Sequence, residues 1–346
     1  MSVRLFIPPD YQPLLNPRDT ERAIRAIKEF FQANLAFELN LTRVTAPLFV
    51  KAGTGVNDDL NGVEEPAWFT AASVGGARLE MVQSLAKWKR LTLADLDFKP
   101  GEGLYTDMNA IRPSETLDNS HSLYVDQWDW ERVITREERN VEFLQWIVRS
   151  IYDVIRRAER YVCFEYSCIE PLLPQEVVFL HAEDLQQQYP ELTPAQRETE
   201  ACREHGAVFI RGIGAPLADG TPHDGRAPDY DDWVSLGEDQ RQGLNGDIIV
   251  YNPVLDSAFE LSSMGIRVDA ESLLQQLAIR RCEQWRDLYF HTRLREGELP
   301  LSIGGGIGQS RLCMLYLRKA HIGEIQASVW PDDMPEQCRQ NNIFLL

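Results

Sequence analysis

Between residues 176 and 268 the chain sets down four runs of β-forming residues with one helical stretch among them. EVVFLHAEDL near 176–181, GAVFIRGIG near 206–212, GDIIVYNP and AFELSSMGIRV read as strands. The polar region 183–204, broken at Pro190 and Pro194, reads as helix. A doubly wound sheet requires a helix after each strand, because parallel neighbours need a crossover. Strands that follow one another directly pair antiparallel. The order therefore predicts an α+β fold, an antiparallel sheet flanked by helices.

The remaining segments fit that frame. Ile24, Ile27, Phe30, Phe31 and Leu35 recur at helical spacing within 18–39, with Thr20 able to cap. LTRVTAPLFV then runs extended, and Pro47 favours a strand end or edge. Two short extended runs between 64 and 84 flank VGGAR, a hairpin pattern, and HSLYVDQWDW at 121–130 is rich in β-formers. The longest helix is expected over 136–162, where Val141, Leu144, Val148, Ile151, Ile155, Ala158 and Val162 form one apolar stripe. A last helix is expected from about Gln309. With no internal repeat, low-complexity tract or linker, 1–346 reads as a single catalytic domain.

Composition narrows the partners. A 346-residue chain that is 44% hydrophobic can bury a substantial core, and its formal charge of −18 argues against nucleic acid. No run of about 18 apolar residues offers a membrane span. Its first residues, MSVRLFIPPDYQPLL, lack the pattern of a secretory signal. The six cysteines form no C-x-x-C pair and read as reduced thiols, so a cytoplasmic setting is expected.

The glycine cluster in SIGGGIGQSRLCMLY raises the chemical question. A Walker loop needs a lysine after its glycines, and a dinucleotide fingerprint needs a third, correctly spaced glycine; both readings fail here. What remains is a backbone that a flat or anionic ligand can approach, a helix start with free N–H groups, and Arg311 on its first turn. A tight, well-packed turn is the alternative. Arg112, carried into the turn at Pro113, suits an α-phosphate or a surface salt bridge. In YVDQWDW, alternation puts Gln127 and Asp129 on one face, suited to the polar groups of an amino acid, with Trp128 and Trp130 on the other. Alternation likewise puts Glu260 and Ser262 on one face, and Asp247 with Glu260 offers hard oxygen ligands for Mg²⁺.

Three segments resemble the signature motifs of class II aminoacyl-tRNA synthetase catalytic domains: KEFFQANLAFELNLTRVTAPLFV, the AIRPSE turn, and GGGIGQSRL. VNDDLNG, SLAKWKRLTL, GEGLYTDM, LYVDQWDWERV, RAPDYDDW, LNGDIIVYNPV and FELSSMGIRVDA narrow the likeness to bacterial ammonia-dependent asparagine synthetases. That resemblance, covering about 20–330, implies synthesis of asparagine from aspartate, ammonia and ATP through a β-aspartyl-adenylate, with release of AMP and pyrophosphate.

It also implies site roles. Arg112 would hold the α-phosphate and Arg311 clamp the nucleotide, with Asp231, Glu260 and Ser262 around it; Asp247 and Glu260 would hold Mg²⁺. Lys89 and Arg267 would grip the aspartate α-carboxylate, and Asp129 the α-ammonium, with Ser84 and Gln127 nearby. Asp58 would sit where ammonia attacks. The first class II motif implies a homodimer. One departure stands out: Gln83 occupies a position where the family commonly shows histidine. A tRNA-charging enzyme and a non-catalytic relative that senses amino acid or adenylate are the rival readings.

Overall fold

A computed structural model describes residues 5–58, 60 and 64–346. Its elements run α1 (Pro17–Leu39), β1 (Leu41–Arg43), β2 (Phe49–Lys51), β3 (Trp68–Ala71), β4 (Ala77–Met81), α2 (Ala86–Asp95), β5 (Gly103–Ile111), β6 (Tyr124–Val133) and α3 (Val141–Glu165). There follow β7 (Val178–His181), α4 (Ala182–Gln188), α5 (Pro194–His205), β8 (Ala207–Arg211), β9 (Asn245–Asn252), β10 (Ser257–Ile266) and α6 (Ala270–Ile279). The chain closes with α7 (Tyr289–Arg295), β11 (Ser302–Gly308), α8 (Gln309–Tyr316) and α9 (Met334–Gln340).

Eight strands form one sheet in the order β1-β5-β6-β11-β10-β9-β8-β7. Its interior pairings are antiparallel, and only the edges, β1 with β5 and β7 with β8, are parallel. The expected hairpin at 64–84 is β3 and β4, which belong with β2 to a small second sheet. The α+β expectation holds.

Two long helices cover one face. α1 begins one residue before its expected start because Asn16, not Thr20, is the cap: the Asn16 side chain accepts from Asp19 N at 3.0 Å. The Thr20 hydroxyl instead donates to the Asn16 carbonyl at 2.9 Å. α3 starts at Val141 rather than 136, because Asn140 accepts from Phe143 N at 2.7 Å and fixes the first turn there. Its apolar stripe meets Ile27, Phe31 and Leu35 of α1 above Trp128 and Trp130. All of these side chains are fully buried.

Only the last glycine of the cluster, Gly308, stands at the start of a helix, as the N-cap of α8. Gly304, Gly305 and Gly306 lie inside β11, between β6 and β10 at the centre of the sheet. A Cβ on Gly304 would land on the Glu131 carboxylate, and one on Gly306 on the Gln127 amide. Side chains from β6 therefore lie across β11 because β11 has none there. α8 does begin at Gln309, but α9 follows it and is the last helix.

Candidate active site

The open face of the sheet floors a cavity of about 370 Å³. β6 delivers its side chains by simple alternation. Trp128 and Trp130 enter the helix-covered core, while Gln127 and Asp129 line the cavity.

From Asp129 a chain of alternating charges crosses the floor. Lys89, on α2, donates to Asp129, to the Trp130 carbonyl at 2.8 Å and to the Gly305 carbonyl at 3.2 Å. Its ammonium is 3.7 Å from Glu131 Oε2. Glu131 accepts from Arg267 Nε at 3.0 Å and Nη2 at 2.8 Å, and from the Ser302 hydroxyl at 2.7 Å. The other arm of Arg267 donates to Asp231. Arg226 continues the chain: its Nε lies 3.7 Å from Asp231, its Nη2 donates to Asp247 at 2.6 Å and its Nη1 to Ser263 at 2.7 Å.

These charges survive burial because each meets its opposite. Burial pushes the Glu131 carboxyl up, but Arg267 and Lys89 overcome it and hold it below the usual range. Burial would lower Arg267, yet Glu131 and Asp231 raise it well above an ordinary arginine. Asp247 goes the other way. Burial raises it, Arg226 pulls it back and neighbouring Glu260 raises it again, leaving it at about 7.

The far end of the cavity carries two arginines, Arg112 and Arg311. Arg112 follows β5 and pairs loosely with Glu115 at 4.0 Å; its Nε has no hydrogen-bond partner among the described residues. Arg311 projects from the first turn of α8, 3.7 Å from Glu260 Oε2, with its guanidinium over the Phe259 ring. Its second arm donates to His121 Nε2 at 2.9 Å. The N-terminus of α8, however, is not free. Ser310 N donates to Asp126 Oδ1 at 3.0 Å, and Asp126 Oδ2 accepts from Lys28 at 2.9 Å. A carboxylate already occupies the place where the sequence suggested open N–H groups.

The structure brings most of the expected residues together. Ser84, Arg112, Gln127, Asp129, Asp231, Glu260, Arg267 and Arg311 line the one cavity. Lys89 lies fully buried against Asp129 and Gly305 rather than in the wall, and Asp247 sits behind Arg226. Ser262 needs correcting. A bulge in β10 pairs Glu260 with Ile249 but Ser262 with Ile248, so the residue sharing the face of Glu260 and Asp247 is Ser263. Ser262 donates to the Gly306 carbonyl at 3.0 Å, and Ser263 lines the cavity. Asp58 is buried, and its carbonyl accepts from Gln83 Nε2 at 2.9 Å. Residues 59 and 61–63 of the VNDDLNG segment lie outside the described residues.

Glu131, Arg226, Tyr230, Ser263 and His121 were not singled out from the sequence. Extending the Gln127–Asp129 alternation by one step would have reached Glu131, and Arg226 opens the quoted RAPDYDDW; nothing in the sequence marks the bulge that selects Ser263.

Among the described residues, no group of three or more His, Cys, Asp and Glu forms a self-contained metal site. Asp247 and Glu260 nonetheless fit a cation shared with phosphate. They share a face of adjacent strands, they repel each other's ionised forms, and a guanidinium already covers one of them.

The fold is that of a class II aminoacyl-tRNA synthetase catalytic domain. The chain is similar in structure to asparaginyl-tRNA synthetase from Pyrococcus horikoshii complexed with asparaginyl-adenylate, with TM-score 0.65, 15% identity, and coverage of 90% of this chain and 70% of that one. Asparaginyl-tRNA synthetase from Entamoeba histolytica matches at TM-score 0.63 and 13% identity, covering 90% and 67%. Identities this low speak for the fold alone. Sequence speaks for the rest. The aspartate–ammonia ligase family model matches residues 18–342. Proteins named aspartate–ammonia ligase from Bacteroides thetaiotaomicron and Ruminiclostridium cellulolyticum are 59% and 54% identical over 342 residues, and one from Clostridium perfringens is 57% identical over 343. Each alignment covers 99% of both chains. The chain belongs to the aspartate–ammonia ligase family.

Proposed function

We propose that this protein makes L-asparagine from L-aspartate, ammonia and ATP in the cytoplasm by way of a β-aspartyl-adenylate, releasing AMP and pyrophosphate. The observation that carries the reading is the polarity of the cavity. One end presents Asp129 and Arg267, a carboxylate and a guanidinium suited to an amino acid's α-ammonium and α-carboxylate. The other presents Arg112 and Arg311, suited to a nucleotide.

An aspartate gripped by its α-groups turns its side chain toward the nucleotide. A carboxylate resists attack by ammonia because its oxide is a poor leaving group, and adenylation replaces that oxide with AMP. The β-carboxylate attacks the α-phosphorus, the bond to pyrophosphate breaks, and ammonia then displaces AMP from the acyl carbon. Arg112 neutralises charge on the α-phosphate and Arg311 holds the nucleotide in plane. Lys89 acts from beneath, fixing Asp129 and the Gly305 carbonyl rather than reaching the substrate. Gln127 supplies an amide beside the activated carbonyl, and Ser84 a hydroxyl at the α-ammonium. Asp58 draws ammonium in and takes the proton it sheds; Gln83, a neutral amide that donates to the Asp58 carbonyl, does not serve as an acid or base. Asp247 and Glu260 would hold Mg²⁺, which supplies charge neutralisation on the phosphates.

A homodimer is part of the proposal. α1 exposes 84% of Phe37 and α3 exposes 85% of Phe164, large apolar side chains that a second copy would cover. Light scattering at micromolar concentration tests this, and a monomer mass refutes it.

The deciding assay supplies aspartate, ammonium, ATP and Mg²⁺ to the purified protein. AMP and asparagine are expected in equal amounts. ADP in place of AMP, or transfer of aspartate to tRNA, overturns the proposal.

A further inference from the structure

We infer that His121 is a positioning residue for Arg311, holding the nucleotide-clamping guanidinium through a neutral imidazole of fixed tautomer. The inference rests on the proposed use of this cavity for ATP.

The argument starts from donor and acceptor capacity. Arginine has five N–H donors and no acceptor, so the 2.9 Å contact between Arg311 Nη2 and His121 Nε2 requires Nε2 to be the acceptor. The ring proton then sits on Nδ1. Nδ1 is 2.9 Å from both Asp118 oxygens, the partner such a proton needs. Asp118 is itself fixed, accepting from Ser120 N at 2.7 Å, His121 N at 2.9 Å and the Ser120 hydroxyl at 3.1 Å. Burial would raise this carboxyl, but the hydrogen bonds it accepts from His121 and Ser120 hold it down, at about 2.

The chain Asp118–His121–Arg311 matters because Arg311 has little else to aim it. Its remaining polar and ring contacts among the described residues are the Glu260 carbonyl at 3.2 Å, the Glu260 carboxylate at 3.7 Å and the face of Phe259. His121 and Arg311 both line the cavity. A second proton on His121 would set donor against donor and release the guanidinium from the ring. Asp118 faces that proton from the ring's own turn, Arg311 from α8, and Glu260 from β10 stands behind Arg311; Arg112 and Glu115 share the same end of the cavity, and His321 lies within reach of the Asp118 charge.

The test combines kinetics with spectroscopy on the full-length protein. In aspartate-dependent exchange between pyrophosphate and ATP, His121→Phe is expected to raise KM for ATP about tenfold and leave KM for aspartate within about twofold. His121→Gln, whose amide oxygen can take the place of Nε2, is expected to return KM for ATP to within about threefold of wild type. Nitrogen NMR of the ligand-free protein should show a protonated Nδ1 and a bare Nε2. The opposite tautomer overturns the inference whatever the activity, and so does an unchanged KM in His121→Phe. If His121→Phe does not fold, the tautomer read by nitrogen NMR in the wild-type protein decides. Wild-type protein with no exchange at all would overturn the function proposed above, while the NMR result would still judge the His121 contact.

Discussion

On one side of the large sheet Trp128, Trp130, Ile248 and Ile303 lie in an apolar layer beneath α1 and α3. One step along the same strands, on the other side, stand Glu131, Asp247 and Gly304. The covered side is held by non-directional burial, which tolerates exchange of one apolar residue for another of like volume. The cavity side is held by charges that must each find a partner, so removing one member strands the next. Stability and chemistry thus draw on alternate residues of the same strands.

Substitutions can break this division if it is wrong. The largest stability effect is expected on the covered side. Trp128→Ala removes a fully buried ring whose centroid is 4.5 Å from that of Phe31, and should cost about 4 kcal/mol in denaturant unfolding. Its folded fraction should turn over normally, and a selective fall in kcat would show that the two sides are not separate. Arg311→Lys makes the opposite case. The melting temperature should hold while kcat/KM falls roughly a hundredfold, about 2.7 kcal/mol, because an ammonium cannot reproduce a planar clamp. Near-normal turnover would remove Arg311 from the nucleotide site.

A buried cluster behind the cavity sharpens the contrast. Asp229 accepts from Lys87 at 2.7 Å and contacts His291 Nε2 at 2.9 Å. Burial would raise this carboxyl, but Lys87 and His291 hold it at about 2, below its ordinary 3.8. A depressed carboxyl adds stability above its unfolded value, and that contribution drains away as pH falls from about 4 to about 2. Asp229→Asn should therefore cost roughly 2 kcal/mol at pH 7 and much less near pH 2, read by urea unfolding across pH. A gap that does not narrow in acid would rule out this account of the cluster. The smallest effect is the most diagnostic of mechanism. Asp58→Asn should leave pyrophosphate exchange intact and slow asparagine formation about tenfold. Equal loss in both assays would move Asp58 to the adenylation step.

Much of this was legible in the residues. Alternation in YVDQWDW separated Gln127 and Asp129 from the two tryptophans before any coordinates, because a strand's period of two has no local exception there. The stripe along α3 was legible for the same kind of reason. What failed was what depends on a single extra residue or on a distant partner. Glu260 and Ser262 were placed together by alternation, and the bulge in β10 breaks the count between them. The open N-terminus of α8 was a sound local expectation, but Asp126 reaches it from β6. Glycines 304–306 read as backbone open to a ligand, with a turn as the alternative, because nothing in their own sequence says that β6 fills the space above them. Arg112 and Arg311 stood out from their local settings and Asp231 from family resemblance, but the cavity they share is a contact across the whole chain that no spacing rule predicts.

Bare backbone in β11 has a consequence for anyone seeking to re-aim the enzyme. A central strand bare over residues 304–306 acts as a slot filled by its neighbour, so β6 is where a change of substrate preference would be written. Adding bulk to Gly304 or Gly306 would evict the Glu131 or Gln127 group already seated there, and enlarging the choice of amino acid means shortening or reshaping those β6 groups instead.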